Sequence, residues 1–203
     1  TGDWKLVGIV CGTDFSESKA CGSGEKGMLW IILADGRKSY FEKFDKAFKT
    51  NKVNFPRTFF NDSYEVYGPI GPAFLKEFAA RRGYRLENHF PEFISQERTE
   101  LTRRLVSDYR ETLGELLVEN FTTAWTKWAH RHGSTTVIST WIPANLIDTY
   151  ASVDIPECEG FGLTDFILGI EGDSLTRPNF SDISMLKYAS SAAQYCGKTL
   201  HFS

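Results

Sequence analysis

The chain has 203 residues, enough for one domain or part of a larger one, whereas a complete (β/α)8 barrel typically needs roughly 250. Its 23 basic and 26 acidic residues give a net charge of −3 and form no basic stripe, which argues against nucleic acid as a partner. Because 41% of the residues are hydrophobic, we expect a folded chain, and no apolar run reaches the roughly 18 residues of a membrane span.

The four cysteines are too few for a disulfide scaffold, and without a Cys-x-x-Cys pair the sequence does not predict a zinc site. Cys11 and Cys21 could bridge a loop, or both could be free buried thiols, and the two alternatives stay open. The chain begins with Thr1, which favours a processed or excised segment. We therefore expect residues 1–203 to form a single segment of a larger multidomain protein.

Apolar periodicity, together with Gly and Pro signals, predicts the secondary structure. In chain order the predicted elements are strand 4–10, strand 28–33, helix 38–49, strand 57–60, helix 73–82, helix 95–132, strand 135–141, helix 144–151, helix 183–195 and strand 198–202. Strands that alternate with helices predict parallel βα units, so the expected fold class is α/β with a parallel, TIM-barrel-like sheet. Because no helix follows the last strand, we expect an incomplete or excised barrel.

The helix predicted at 95–132 carries the longest apolar stripe of the chain. Ser95 is its predicted N-cap and Gly133 its predicted stop. The residues of the stripe are Leu101, Leu105, Tyr109, Leu113, Leu116, Leu117, Phe121, Trp125 and Trp128. Their spacing predicts core packing rather than a cofactor site.

The most informative stretch follows the strand predicted at 57–60. Asp62, Tyr64, Glu65 and Tyr67 come directly after it. In α/β folds and barrels, ligands bind outside the carboxyl ends of the strands, so two acids and two phenols fall where an active site would lie. The combination predicts carboxylate chemistry on a sugar. The alternative is a strand end with a capping Asp and a surface Glu.

Three further places along the chain carry candidate residues. Trp141 lies at the end of the strand predicted at 135–141, and His201 lies in the last predicted strand. Asp154, Glu157 and Glu159 surround a proline and predict an acidic loop. Such a loop can supply general acid/base groups or oxygen ligands for calcium, and the alternative is a solvated acidic turn.

Two basic clusters are expected to close helices. His130 and His132 lie at a predicted helix C-terminus, where positive charge is favourable, and this placement favours capping over metal binding. Arg81 and Arg82 lie in the same kind of position, so we expect them to close a helix rather than bind an anion.

An ordered series of short motifs resembles the catalytic barrel of family 106 glycoside hydrolases, the α-L-rhamnosidases. Together the motifs cover roughly residues 57–203. They are FNDSYE at 60–65, FLKEF at 74–78, RRGY at 81–84, FP at 90–91, SDYRETL at 107–113, AHRHG at 129–133, NLIDTYA at 145–151, DIPE at 154–157, KYASSAA at 187–193 and GK at 197–198.

The resemblance implies a (β/α)8 barrel inside a large secreted or periplasmic enzyme that degrades plant or other complex polysaccharides. It implies α-L-rhamnosides or related sugars as substrates, two catalytic glutamates acting with inversion, and calcium that contributes to sugar binding. Glu65 matches the general acid. Glu157, in the acidic segment, is our second catalytic candidate, and the family's base would lie just past Ser203.

The hypothesis of a carbohydrate-active barrel segment also assigns roles to the remaining candidates. We expect Glu159 to bind metal. The residues expected to contact sugar are Asp62, Tyr64, Tyr67, Trp141, Asp154 and His201.

One departure from the family pattern supports a second hypothesis. Relatives carry a polar Gln-Ala-His-Gly-Ser-Pro-Gly stretch where this chain has STWIPA at 139–144, so several hydrogen-bonding groups are replaced by apolar ones. The alternative is therefore a non-catalytic carbohydrate-binding or structural barrel segment. A third alternative, an α/β enzyme acting on a metal and a phosphate, ranks last because no glycine-rich phosphate loop is present.

Overall fold

The computed structural model describes residues 34–62, 72–139, 145–158 and 183–198. Its elements are α1 Ala34–Asn51, β1 Thr58–Asn61, α2 Pro72–Arg82, a 3-10 turn Leu86–His89, α3 Phe90–Phe93, α4 Glu100–Leu117, a π-helical turn Val118–Thr122, α5 Thr123–Arg131, β2 Thr135–Ser139, α6 Leu146–Ala151, β3 Ile155–Glu157 and α7 Ile183–Tyr195. The predicted strands 4–10 and 28–33, and nearly all of strand 198–202, lie outside the described residues.

The three described strands form one parallel sheet. Its order is β1-β2-β3, and both neighbouring pairs are parallel. Helices separate these strands in the sequence, so the predicted α/β class with parallel βα units is confirmed. The closed barrel stays a prediction. None of the helices in the described ranges is long and apolar enough to cross a membrane.

The helix predicted at 95–132 differs from prediction at its start and in its middle. Thr99, not Ser95, is the N-cap, because its side chain accepts a hydrogen bond from the Thr102 amide. The Ser95 hydroxyl instead accepts a hydrogen bond from the Glu97 amide at 3.1 Å and so closes a turn before the helix. The π-helical turn then separates α4 from α5.

Most residues of the predicted stripe are buried in the core. Its buried members in α4 pack against α2 in a cluster that includes Phe74 and Phe78. Trp125 and Trp128 join a second cluster with Ile138 of the sheet. Leu101 is the exception: its side chain is 43% exposed, so its assignment to the core was wrong. It lies in the first turn of α4, before the stripe reaches the core.

Arg81 and Arg82 connect α2 to the long helix. Arg81 pairs with Glu119 at 2.6 Å, and Arg82 pairs with Glu111 at 3.1 Å. The hydrogen bond with Glu119 raises the pKa of Arg81, although burial opposes the shift. The expected helix-closing role is confirmed, since both arginines lie in the last turn of α2.

The acidic segment contains a strand that the sequence analysis treated as a loop. Ile155–Glu157 pairs with β2, and Pro156 lies within it. A proline cannot donate to a ladder and therefore favours edge strands. β3 has one neighbour among the described strands, so its place in the sheet is compatible with Pro156.

Trp125 tests the packing of the second cluster. Its side chain is only 6% exposed, so we expect Trp125→Ala to lower the free energy of unfolding by about 3–5 kcal/mol. The matched control is Leu101→Ala, which removes an exposed apolar side chain and should cost less than about 1 kcal/mol. Urea unfolding of both variants measures the difference, and equal losses would contradict the packing described.

Candidate functional site

The carboxyl ends of the three strands meet at one edge of the sheet. Asn61 is paired with Ile138, and Ser139 is paired with Glu157. Asp62 follows Asn61 by one residue and is therefore level with Ser139. Neighbouring strands are about 4.8 Å apart, so the backbones of Asp62 and Glu157 lie about 10 Å apart across β2. The edge thus carries acidic residues on both sides of one strand.

Side-chain alternation determines which face of the sheet holds Glu157. Thr136 and Ile138 face α5, since Thr136 Oγ1 lies 3.1 Å from Thr126 Oγ1 and Ile138 packs with its tryptophans. Glu157, paired with Ser139, therefore lies on the opposite face. Phe60 shares that face and is 58% exposed. In βα barrels the face away from the helices is the interior.

Asn61 contributes a buried polar atom at the same edge. Its Oδ1 is buried, and within the described ranges no donor reaches it. A buried acceptor without a donor costs about 1–3 kcal/mol and calls for an explanation. The sequence analysis did not select Asn61 as a site residue. Asn61 is the last residue of β1 and directly precedes Asp62, which was the available signal. Its pairing with Ile138 places it on the face that the helices cover, opposite the face of Glu157.

Asp154 lies at the opposite end of β3 from Glu157. Its carboxylate accepts hydrogen bonds from the Thr136 amide at 2.8 Å, the Thr136 hydroxyl at 2.9 Å and His130 Nε2 at 2.9 Å. Burial acts to raise the pKa of Asp154, but the bonds from His130 and Thr136 outweigh it and hold the pKa below its usual range. These contacts join β3 to β2 and α5, while the predicted sugar contact at Asp154 stays a prediction.

The two histidines at the end of the long helix also have protein partners. His130 lies in the last turn of α5, as expected, and pairs with Asp154. His132 Nε2 lies 2.9 Å from Asp45 Oδ1, and its ring stacks on Phe55 with centroids 3.9 Å apart. No group of three or more metal-binding side chains occurs in the part of the chain that the structure describes.

A cleft of about 440 Å³ lies at the other edge of the sheet. Asp45, Phe48, Phe55 and His132 are among its lining residues. Phe55 precedes β1 and His132 precedes β2, so this cleft is at the strand starts. It is therefore separate from the predicted site at the strand ends.

The structure brings two of the predicted site residues to one edge. Asp62 is exposed there, and Glu157 is half-buried. The other predicted site residues lie outside the described ranges and stay predictions; they are Tyr64, Glu65, Tyr67, Trp141, Glu159 and His201.

Comparison with known proteins relates the chain to parts of two much longer ones. No family model matches it. Over 102 residues, or 48% of the chain, it is 33% identical to 9% of a Formosa agariphila protein named "Putative beta-glucuronidase". The structure of a rhamnosidase from Novosphingobium sp. PP1Y matches 65% of the chain with a TM-score of 0.52 and 20% identity, and the match spans 14% of that structure. The matches thus span 9% of one relative and 14% of the other, and both relatives carry names of glycoside hydrolases.

Asp154 should make stability depend on pH. Its pKa is lowered in the folded protein, so its contribution is present above the pKa of the unfolded chain, about 4, and is lost as the pH falls through the folded value. We expect Asp154→Asn to have a lower free energy of unfolding than the wild type at neutral pH. This difference between the two proteins should become smaller in acid.

Urea unfolding at about pH 7 and about pH 3 measures this gap. Glu97→Gln is the control, because Glu97 is an exposed acid before α4. A gap of the same size at both pH values would contradict the assigned role of the carboxylate.

Proposed function

We propose that this chain is part of the catalytic domain of a glycoside hydrolase, with its sugar bound at the carboxyl ends of β1, β2 and β3. One observation carries the proposal: the strand register brings Asp62 and Glu157 to the same edge. The names of the two similar proteins support the same class of chemistry. The substrate would be an oligosaccharide or polysaccharide.

The complete fold that we propose for this domain is a (β/α)8 barrel. In the described residues, helices cover one face of a parallel sheet, and the other face carries the exposed Phe60 and the half-buried Glu157. Closing a parallel sheet into a barrel would turn that second face inward. The similarity in fold to the rhamnosidase is consistent with this arrangement.

The proposed reaction is hydrolysis of α-L-rhamnosides or related glycosides with inversion, as in family 106. Glu65 protonates the leaving oxygen. A second carboxylate removes a proton from the attacking water, which requires carboxyl groups about 6.5–9.5 Å apart. Glu157 is the candidate for this base within the described residues, since two strand spacings separate its backbone from the end of β1. The other candidate is the carboxylate that the family pattern places just past Ser203. Tyr64 and Trp141 would contact the sugar.

Two further proposals follow from the family resemblance. Calcium would bind near Glu159 and help to hold the sugar. Chelation of the full-length protein should then raise KM, and added Ca²⁺ should restore it. The full-length protein would be secreted or periplasmic, which cell fractionation tests.

The role of Glu65 can be tested by its dependence on the leaving group. In the full-length protein we expect Glu65→Gln to lower kcat/KM for an unactivated phenyl α-L-rhamnoside by roughly 10²–10⁴-fold. The loss should be smaller for a 4-nitrophenyl rhamnoside, because that leaving group needs little protonation. Steady-state assays of both substrates measure the contrast.

The controls for this test are other carboxylates. Glu97→Gln changes an exposed acid in the turn before α4 and should keep normal rates for both substrates. Glu157→Gln should slow both substrates alike, because a base acts on the water. A Glu65→Gln variant with normal rates would contradict the assignment of Glu65 as the general acid. A fully active Glu157→Gln variant would show that another residue is the base.

The alternative function is sugar binding without hydrolysis. Its specific support is the apolar replacement at Trp141, Ile142 and Ala144. This alternative predicts that the full-length protein binds a rhamnose-containing oligosaccharide in calorimetry but releases no sugar from any glycoside in a broad panel. Turnover that is lost in Glu65→Gln would exclude it.

A further inference from the structure

We propose that Lys198 acts as a tethered cation that fixes the start of β3 and thereby positions Glu157. The inference about Glu157 rests on the proposed function, whereas the anchoring of β3 is a structural claim. Lys198 lies just after α7, in the Gly-Lys pair that the sequence analysis noted only as a motif. It is a positioning residue, because it touches neither Glu157 nor a substrate in the contacts described.

The ammonium group of Lys198 binds three backbone carbonyl groups. Its Nζ donates to the oxygens of Tyr150 at 3.0 Å and Ala151 at 2.7 Å, and also to that of Val153. An ammonium has three donors, so all of them have acceptors here. Tyr150 and Ala151 end α6, where carbonyl groups lack helical partners and a cation is favoured.

The same turn is held from its other side by Asp154. This residue follows Val153, and its carboxylate binds Thr136 of β2 and His130 of α5. Burial lowers the pKa of Lys198, while the charge of Asp154 favours the protonated form. The connection from α6 to β3 is therefore fixed by a cation that follows α7 and by the connection's own anion, Asp154, which binds β2 and α5.

The position of Glu157 depends on this turn because β3 is short. The strand covers only Ile155–Glu157, so Glu157 lies about 10 Å from Asp154 along it. Loss of Lys198 would leave three carbonyl groups without their donor and free the start of the strand to shift. A displacement of about 1 Å in a catalytic group can cost about 10²-fold in rate.

Lys198→Ala in the full-length protein tests the inference, with Lys187→Ala as the matched control. Lys187 is an exposed lysine on α7. We expect Lys198→Ala to lower Tm and to reduce kcat at least about 10-fold with KM within about 2-fold, because Glu157 is misplaced while the predicted sugar contacts outside this turn remain. Lys187→Ala should match the wild type.

Chemical rescue makes the test specific to the cation. Ammonium chloride should restore Tm and kcat of Lys198→Ala in a saturable manner, since NH4⁺ can donate to the same carbonyl oxygens. Choline chloride at equal ionic strength should not, because its cation has no N–H donor. Should Lys198→Ala fail to fold, Lys198→Met keeps the apolar stem and removes the donors.

Hydrogen exchange separates this inference from the proposed function. Exchange at the Ile155 and Glu157 amides should accelerate in the variant and slow again with ammonium, even if no glycoside is cleaved. Unchanged exchange and Tm would overturn the anchoring. If the full-length protein is active and Lys198→Ala lowers Tm but leaves kcat unchanged, Lys198 only caps α6, and its role in positioning Glu157 is overturned.

Discussion

The carboxylate of Asp154 joins two of the three described strands to the helix that packs on them. It accepts hydrogen bonds from the backbone and side chain of Thr136 in β2 and from His130 at the end of α5. A partly buried charge is stabilising only when it is bonded in this way, so the three elements must be in register for it to persist. These contacts hold the start of β3, at the opposite end of the strand from Glu157.

The sequence predicted those elements whose ends carry strong local signals. Pro72 and Gly83 bound α2, and Gly83 adopts a φ of 78°, a backbone conformation that side chains disfavour. The helix start at Thr99 was missed because Ser95 is an equally good cap by composition, and only tertiary contacts decide between them. β3 was missed because three residues with a central proline show no alternation to detect.

The candidate site was predictable to the extent that it follows strand ends. Asp62 was found because it follows an apolar run, and Glu157 because it belongs to an acidic segment around a proline; the sheet register brings both to one edge. Asp154 looked like Glu157 in sequence, since both are acids within two residues of Pro156. Asp154 differs from Glu157 because it binds Thr136 and His130, which lie 18 and 24 residues away in the sequence. Contacts between residues so far apart cannot be predicted from a local sequence pattern.

The central claim is that sugar binds at the carboxyl ends of β1–β3. A crystal structure of the full-length Glu65→Gln protein soaked with L-rhamnose tests it most directly. The account predicts a sugar ring at this edge, with a hydroxyl within hydrogen-bonding distance, about 2.6–3.2 Å, of the Glu157 carboxylate. A sugar bound only at the opposite edge, in the cleft beside His132, would contradict it.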